Sequence, residues 1–115
     1  MMTETFRNAL LTYGGTLITH IGLVIVNGTE ISGGSPAYAR KAVTWDTAAG
    51  GIMRPTVDLT FDIPASTTVA GWRGFTALTN GTNHGGQDLT NEIFAGQGQY
   101  KLLAASTGIL ASDPV

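Results

Sequence analysis

The chain has 115 residues, 43% of them hydrophobic and only 12% charged, with six basic and eight acidic side chains and a net charge of −2. That length and apolar content suit one globular domain around a single core. They exclude a disordered chain, which combines low hydrophobicity with high net charge. The basic residues Arg7, Arg40, Lys41, Arg54, Arg73 and Lys101 are scattered, so no basic block exists to neutralise a row of phosphates. Nucleic acid is therefore not an expected partner.

Cysteine is absent, which removes disulfide frameworks, thiolate chemistry and zinc–thiolate sites. The opening M-M-T-E-T-F-R lacks the basic and then apolar pattern of a secretory signal. The longest apolar run, Ile21 to Val26, is far too short to span a bilayer. A soluble product made in the cytoplasm, without a membrane partner, is the expectation.

Taken in order, Thr3 is placed to cap a helix that starts at Glu4, with the acidic side chain near the positive end. Phe6, Ala9, Leu10 and Tyr13 then form one apolar stripe, and Gly14-Gly15 is expected to stop the helix. Residues 1–15 thus read as a helical arm, either a lid over the open end of a sheet structure or a segment docking on a neighbouring subunit. Thr16 to Val26, rich in Ile, Val and Thr, reads as a strand and Asn27-Gly28 as a hairpin turn. Glu30 to Tyr38 is a loop punctuated by Gly33-Gly34 and Ser35-Pro36, and Arg40 to Asp46 is a further strand with Val43 and Trp45 on one face.

The clearest strand signal is Thr56 to Ile63. Val57, Leu59, Phe61 and Ile63 alternate strictly with polar residues, which predicts one buried and one wet face, and Pro64 ends the ladder. Val69 to Leu78 carries Trp72 and Phe75 on opposite faces of a simple pleat, so one is expected in the core and the other near a contact or rim. Thr79 to Gly86 is turn-like, Gln87 to Ala95 and Gln99 to Ala105 are short strands, and residues 106–115 read as a tail. The class that follows is all-β, over residues 1–115 as one domain. The architecture is a β-sandwich or jelly roll of six to eight short antiparallel strands with a short N-terminal helix.

Catalytic chemistry finds little support in the pattern. His20 and His84 are the two histidines, and His84 with Asp88 and Glu92 lacks metal-ligand spacing. No serine sits in a G-x-S-x-G elbow. Asp58 and Asp62, four residues apart on a strand, stand about 13 Å apart, too far for a glycosidase pair. No glycine cluster leads into a helix with a lysine, as a phosphate cradle would. Trp72 beside Arg73, and Tyr38 near Arg40, could form a sugar platform, but packing is the plainer reading for aromatics among apolar strand residues. No catalytic, cofactor or metal site is expected.

Several motifs carry a resemblance. They are G-G-S-P-A-Y-A-R-K-A-V-T-W from Gly33 to Trp45, L-T-F-D-I-P-A-S-T-T-V-A from Leu59 to Ala70, and E-I-F-A-G-Q-G-Q-Y-K-L from Glu92 to Leu102. Near the start, N-A-L-L-T-Y and T-H-I-G-L fit as well. Across most of its length the chain resembles small bacteriophage virion structural proteins, especially of phages of actinobacteria, with head decoration, minor capsid or tail fibre roles. It departs from them after Val26, where N-G-T-E-I stands in place of a longer H-T-G-D-P-type loop.

The resemblance implies a non-enzymatic β-sandwich virion protein that binds a repetitive protein surface as a homotrimer. The favoured expectation is a capsid decoration protein on the outside of the head, made in the host cytoplasm, stabilising the lattice of the major capsid protein. The alternative is a tail fibre or tail-tip module that aids host adsorption by binding glycans. The lack of a long coiled-coil or shaft repeat favours the head. Loops at the ends of a sandwich commonly carry binding, so the contact candidates are Ser35, Pro36, Tyr38, Arg40 and Lys41 in and beside the loop, with Phe6 and Arg7 on the arm.

Overall fold

A computed structural model describes residues 3–110. Thr3 caps helix α1 (Glu4–Leu17), its hydroxyl accepting the Phe6 N–H at 3.2 Å. The strands are β1 (His20–Val24), β2 (Lys41–Ala42), β3 (Ile52–Met53), β4 (Leu59–Ile63), β5 (Thr67–Phe75), β6 (Asn83–Phe94), β7 (Gly98–Leu102) and β8 (Ile109–Leu110), with a 3-10 turn at Ala104–Ser106. The fold is mostly β, and each of these strand pairings is antiparallel. One sheet has the order β2-β1-β5-β6, and β3-β8 and β4-β7 form two-stranded ribbons.

Side chains from β1 and β5 meet those of β4 and β7 in one cluster that includes Ile21, Leu23, Phe61, Ile63, Val69 and Trp72. The alternation in β4 is as expected, with Leu59, Phe61 and Ile63 buried and Thr60 exposed. A smaller cluster of Leu11, Ala48 and Met53 lies under α1, and Trp45 touches both. Val43 and Trp45 both pack on the main cluster, as their shared face predicted, although the strand around them shrinks to Lys41–Ala42 and a bridge from Trp45 to Pro55.

Several expectations are corrected by the fold. The helix runs through Gly14-Gly15 to Leu17, because Gly15 serves close approach: a Cβ there would stand 3.1 Å from Met53 Cε and 3.2 Å from Trp45 Cδ1. The strand after it therefore begins only at His20. Val57 is exposed rather than core, since the pleat starts at Leu59. Before that the chain bends between the Thr56 N–H bond to the Thr44 carbonyl (2.9 Å) and the Asp58 carboxylate, which accepts the Ala104 N–H at 2.8 Å.

Phe75 is buried, as is Trp72. The part of the expected tail inside the described residues is tied into the body: Thr107 is buried, its hydroxyl donating to the Leu103 carbonyl at 2.8 Å, and β8 pairs with β3. Residues 111–115 of that tail lie outside the described residues.

Candidate functional site

Two of the predicted contact elements have opposite fates. Tyr38 and Arg40 form an internal clip around Glu30. Arg40 grips the carboxylate with two prongs, Nε to Oε2 at 2.9 Å and Nη2 to Oε1 at 2.8 Å. Its Nη1 donates to the carbonyls of Ala77 (3.0 Å) and Asn80 (2.7 Å), fastening the turn between β5 and β6. The guanidinium carbon lies 3.6 Å from the centre of the Phe75 ring, a cation–π contact that covers the aromatic face. Only 10% of the Arg40 side chain remains exposed. The bond to Glu30 raises the Arg40 pKa, against the opposing effect of burial.

Tyr38 completes the clip. Its hydroxyl donates to Glu30 Oε2 and accepts the Leu23 N–H, each at 2.8 Å. The Leu23 donor lies on the β1 edge beyond the reach of short β2, so the phenol replaces a missing strand partner. Burial raises the phenol pKa well above its ordinary value; the Leu23 bond opposes the shift and Glu30 adds to it. Gly22 makes room for all of this: a Cβ there would lie 2.6 Å from Glu30 Oε2 and 2.8 Å from both Phe75 and the Tyr38 hydroxyl.

Ser35 and Pro36 are exposed at the loop tip. The Gln97 side chain anchors them, accepting the Ser35 N–H at 3.2 Å and donating to the Pro36 carbonyl at 3.1 Å. Lys41 is half-buried on β2, opposite Ile21. Glu30 and Gln97 belong to this region and were missed in the sequence, because nothing local marks a residue whose partners are 8 to 62 positions away.

On the arm, Phe6 is exposed and Arg7 is half-buried. Phe6 belongs to a longer stripe than the sequence reading gave: Phe6, Leu10, Tyr13 and Leu17 are 53%, 45%, 66% and 39% exposed. At 100° per residue all four lie within an arc of about 60°. The side turned to the body is different and largely polar. Leu11 is buried there, Glu4 accepts the Gly50 N–H at 2.9 Å and Asn8 accepts the Gly51 N–H at 3.1 Å. Between the stripe and that side lie Thr5, Ala9, Thr12 and Thr16, exposed and uncharged. Leu17, at i+4 from Tyr13, was legible as a continuation of the stripe once the glycines are read as helical.

No protein-family model, curated protein or solved structure matches the chain.

Of the remaining candidates, Asp58 and Asp62 hold structural positions. Among the described residues no group of three or more His, Cys, Asp or Glu could hold a metal ion, and no helix is long and apolar enough to cross a membrane. His84 is exposed on β6, beside a cavity of about 260 Å³ lined by Trp72 and Gln87. Asp58 caps the Ala104 N–H and Asp62 accepts from Gln99 at 3.3 Å. A groove of about 580 Å³ lies between Ile25–Ser32 and Ser66–Thr68. Its one ionisable lining residue is Glu30, whose two oxygens are engaged by Arg40 and Tyr38.

Proposed function

We propose that the chain is a non-enzymatic structural protein of a bacteriophage particle, a capsid decoration protein that binds the outer surface of the head lattice and stabilises it. The observation that carries the assembly reading is the outward face of α1, where four large apolar side chains line up along one stripe, bordered on one side by the uncharged Thr5, Ala9, Thr12 and Thr16. Contiguous apolar surface of this kind marks protein contact. The phage setting rests on the motif resemblance from Gly33 to Trp45, Leu59 to Ala70 and Glu92 to Leu102.

The same proposal takes the β2-β1-β5-β6 sheet and the β4-β7 ribbon as the two layers of a small sandwich around the main cluster. The surfaces left for the lattice are the loop tip at Ser35–Pro36 and the edge of β6. That strand is twelve residues long, pairs among the described residues with β5 alone and exposes Ile93, and a free edge of this length is a template for strand addition.

Immunogold electron microscopy with an antibody to this chain, on phage particles that encode it, tests the reading. Gold over the heads is the expected result. Gold confined to the tail tip replaces decoration by the adsorption module, and particles that lack the chain by mass spectrometry overturn a virion role.

A further inference from the structure

The outward stripe of α1 has the spacing of a helix–helix seam. Phe6, Leu10, Tyr13 and Leu17 are separated by 4, 3 and 4 positions, the alternation that keeps a two-helix contact in register at 3.5 residues per turn. A helix that only covered its own body would turn this stripe inward, and α1 instead docks through Leu11, Glu4 and Asn8.

We propose that the stripe is an interface between two copies of this chain, with the two α1 helices packed antiparallel about a two-fold axis, in place of the homotrimer that the resemblance implies. The proposal deepens the assembly reading, on which it rests, by naming the partner of that face. Three observations select the occupant. The spacing is that of a helix seam, so the partner presents a helix. The face itself and the flank of Thr5, Ala9, Thr12 and Thr16 carry no charge, and the other flank holds the half-buried Arg7 beside Gly14, so the stripe selects no charged partner and the Ala9–Thr16 flank brings no like charges together.

The third is layer volume. Antiparallel pairing sets Phe6 against Leu17 and Leu10 against Tyr13, one aromatic and one leucine in every layer, repeated by the two-fold axis. Parallel pairing would stack Phe6 on Phe6 and Tyr13 on Tyr13, giving layers of unequal width. Antiparallel helix dipoles also attract. On one flank the antiparallel arrangement brings Ala9 beside Thr16 of the other copy, small enough for close approach.

The area sets the strength. From the exposed fractions of the four side chains, each copy offers roughly 400 Å² of apolar surface, so a pair buries roughly 800 Å², below the 1,200 Å² or more of a stable complex. The pair is therefore reversible in free solution and is consolidated where copies are held close together, as on a lattice.

The absence of native cysteine makes cross-linking a clean test on the full chain. Ala9→Cys and Thr16→Cys variants, mixed at about 0.5 mM and oxidised mildly, are expected to give the mixed disulfide dimer well above either same-variant dimer. The control mixture of Ala9→Cys with Gly14→Cys reports parallel pairing. Sedimentation equilibrium over the same concentrations is expected to show a monomer–dimer equilibrium that Leu10→Asp abolishes while thermal unfolding is unchanged.

Dominance of the Ala9–Gly14 cross-link, a trimer in sedimentation, or a monomer at every concentration with no cross-link each overturns the proposal. These outcomes are read in solution, so they separate from the particle experiment. Gold on heads with no antiparallel cross-link sinks the pairing alone, and cross-linking without a place in the particle sinks the phage setting alone.

Discussion

The clip at Tyr38–Arg40 and the stripe on α1 invert the usual sorting of side chains. The clip takes an arginine, a glutamate and a tyrosine out of water, and the helix leaves Phe6, Leu10, Tyr13 and Leu17 in it. Each inversion has a local cause. Three nitrogens of Arg40 have acceptors and its planar face lies on Phe75, so the polar groups keep their hydrogen bonds inside the protein. Under α1 the opposite constraint operates: the turn at Gly50-Gly51 presents N–H groups that need acceptors, and the helix supplies them from its polar side. Burial here follows what each neighbour requires, and hydropathy alone misleads at both places. A polar cluster satisfied internally is architecture, whereas an apolar face left unsatisfied is available to a partner.

The sharpest way to break this contrast is to remove the centre of the clip. Arg40→Ala leaves the Glu30 carboxylate with Tyr38 alone and uncovers Phe75. Breaking a fully buried pair from one side costs about 3–5 kcal/mol; Glu30 is 26% exposed, so the expected loss is about 2–3 kcal/mol. Urea unfolding measures it. A loss below about 0.5 kcal/mol would return Arg40 to the pool of free contact residues.

Gly22→Ala attacks the same cluster from below without removing a hydrogen-bonding group. The new methyl needs the space of Glu30 Oε2, the Phe75 ring edge and the Tyr38 hydroxyl. Overpacking of this kind costs about 1–3 kcal/mol. The change is expected to speed hydrogen exchange at the Leu23 amide, whose acceptor is displaced.

Tyr38 sharpens the comparison through pH. Its folded pKa lies above the ordinary 10.0, so the folded state holds the phenol proton more tightly than the unfolded chain does. The stabilisation is whole below pH 10 and is lost as pH rises above it. Tyr38→Phe costs about 1–2 kcal/mol at pH 7, because the Leu23 N–H loses its acceptor. It also flattens the fall in melting temperature between pH 10 and 11. Tyr100, raised by burial and then by the Glu92 charge, contributes equally in both proteins, so the difference belongs to Tyr38.

How much of this was legible in the sequence depended on the range of the cause. Local signals read well: the Thr3 cap, the Leu59–Phe61–Ile63 face and the Asn27-Gly28 turn, where the Asn27 side chain accepts the Thr29 N–H and Gly28 has φ +86°. The Gly14-Gly15 stop failed because a glycine at a helix end and a glycine at a close helix contact look alike until Met53 and Trp45 are in place. The core position of Val57 failed because a pleat was extended across a bend fixed by Ala104, 46 residues away. The stripe that includes Phe6 was legible because a helical stripe is a local property. Tyr38 and Arg40 were read as surface because their partner Glu30 shows no relation to them in sequence.

The smallest expected effect on stability is the one that isolates the helix face. Tyr13→Ser removes the most exposed member of the stripe, and because that side chain is 66% exposed, unfolding free energy is expected to change by no more than about 0.5 kcal/mol. Serine and tyrosine have similar helix propensities, so the helix itself is little affected. If the face had been closing over its own body, the same change would cost about 3 kcal/mol or more, as truncating a buried aromatic does. A near-zero value in urea unfolding, beside the loss from Arg40→Ala, would establish that the polar clip stabilises the fold and the apolar stripe does not. The stripe's free energy would then be realised only when another surface covers it.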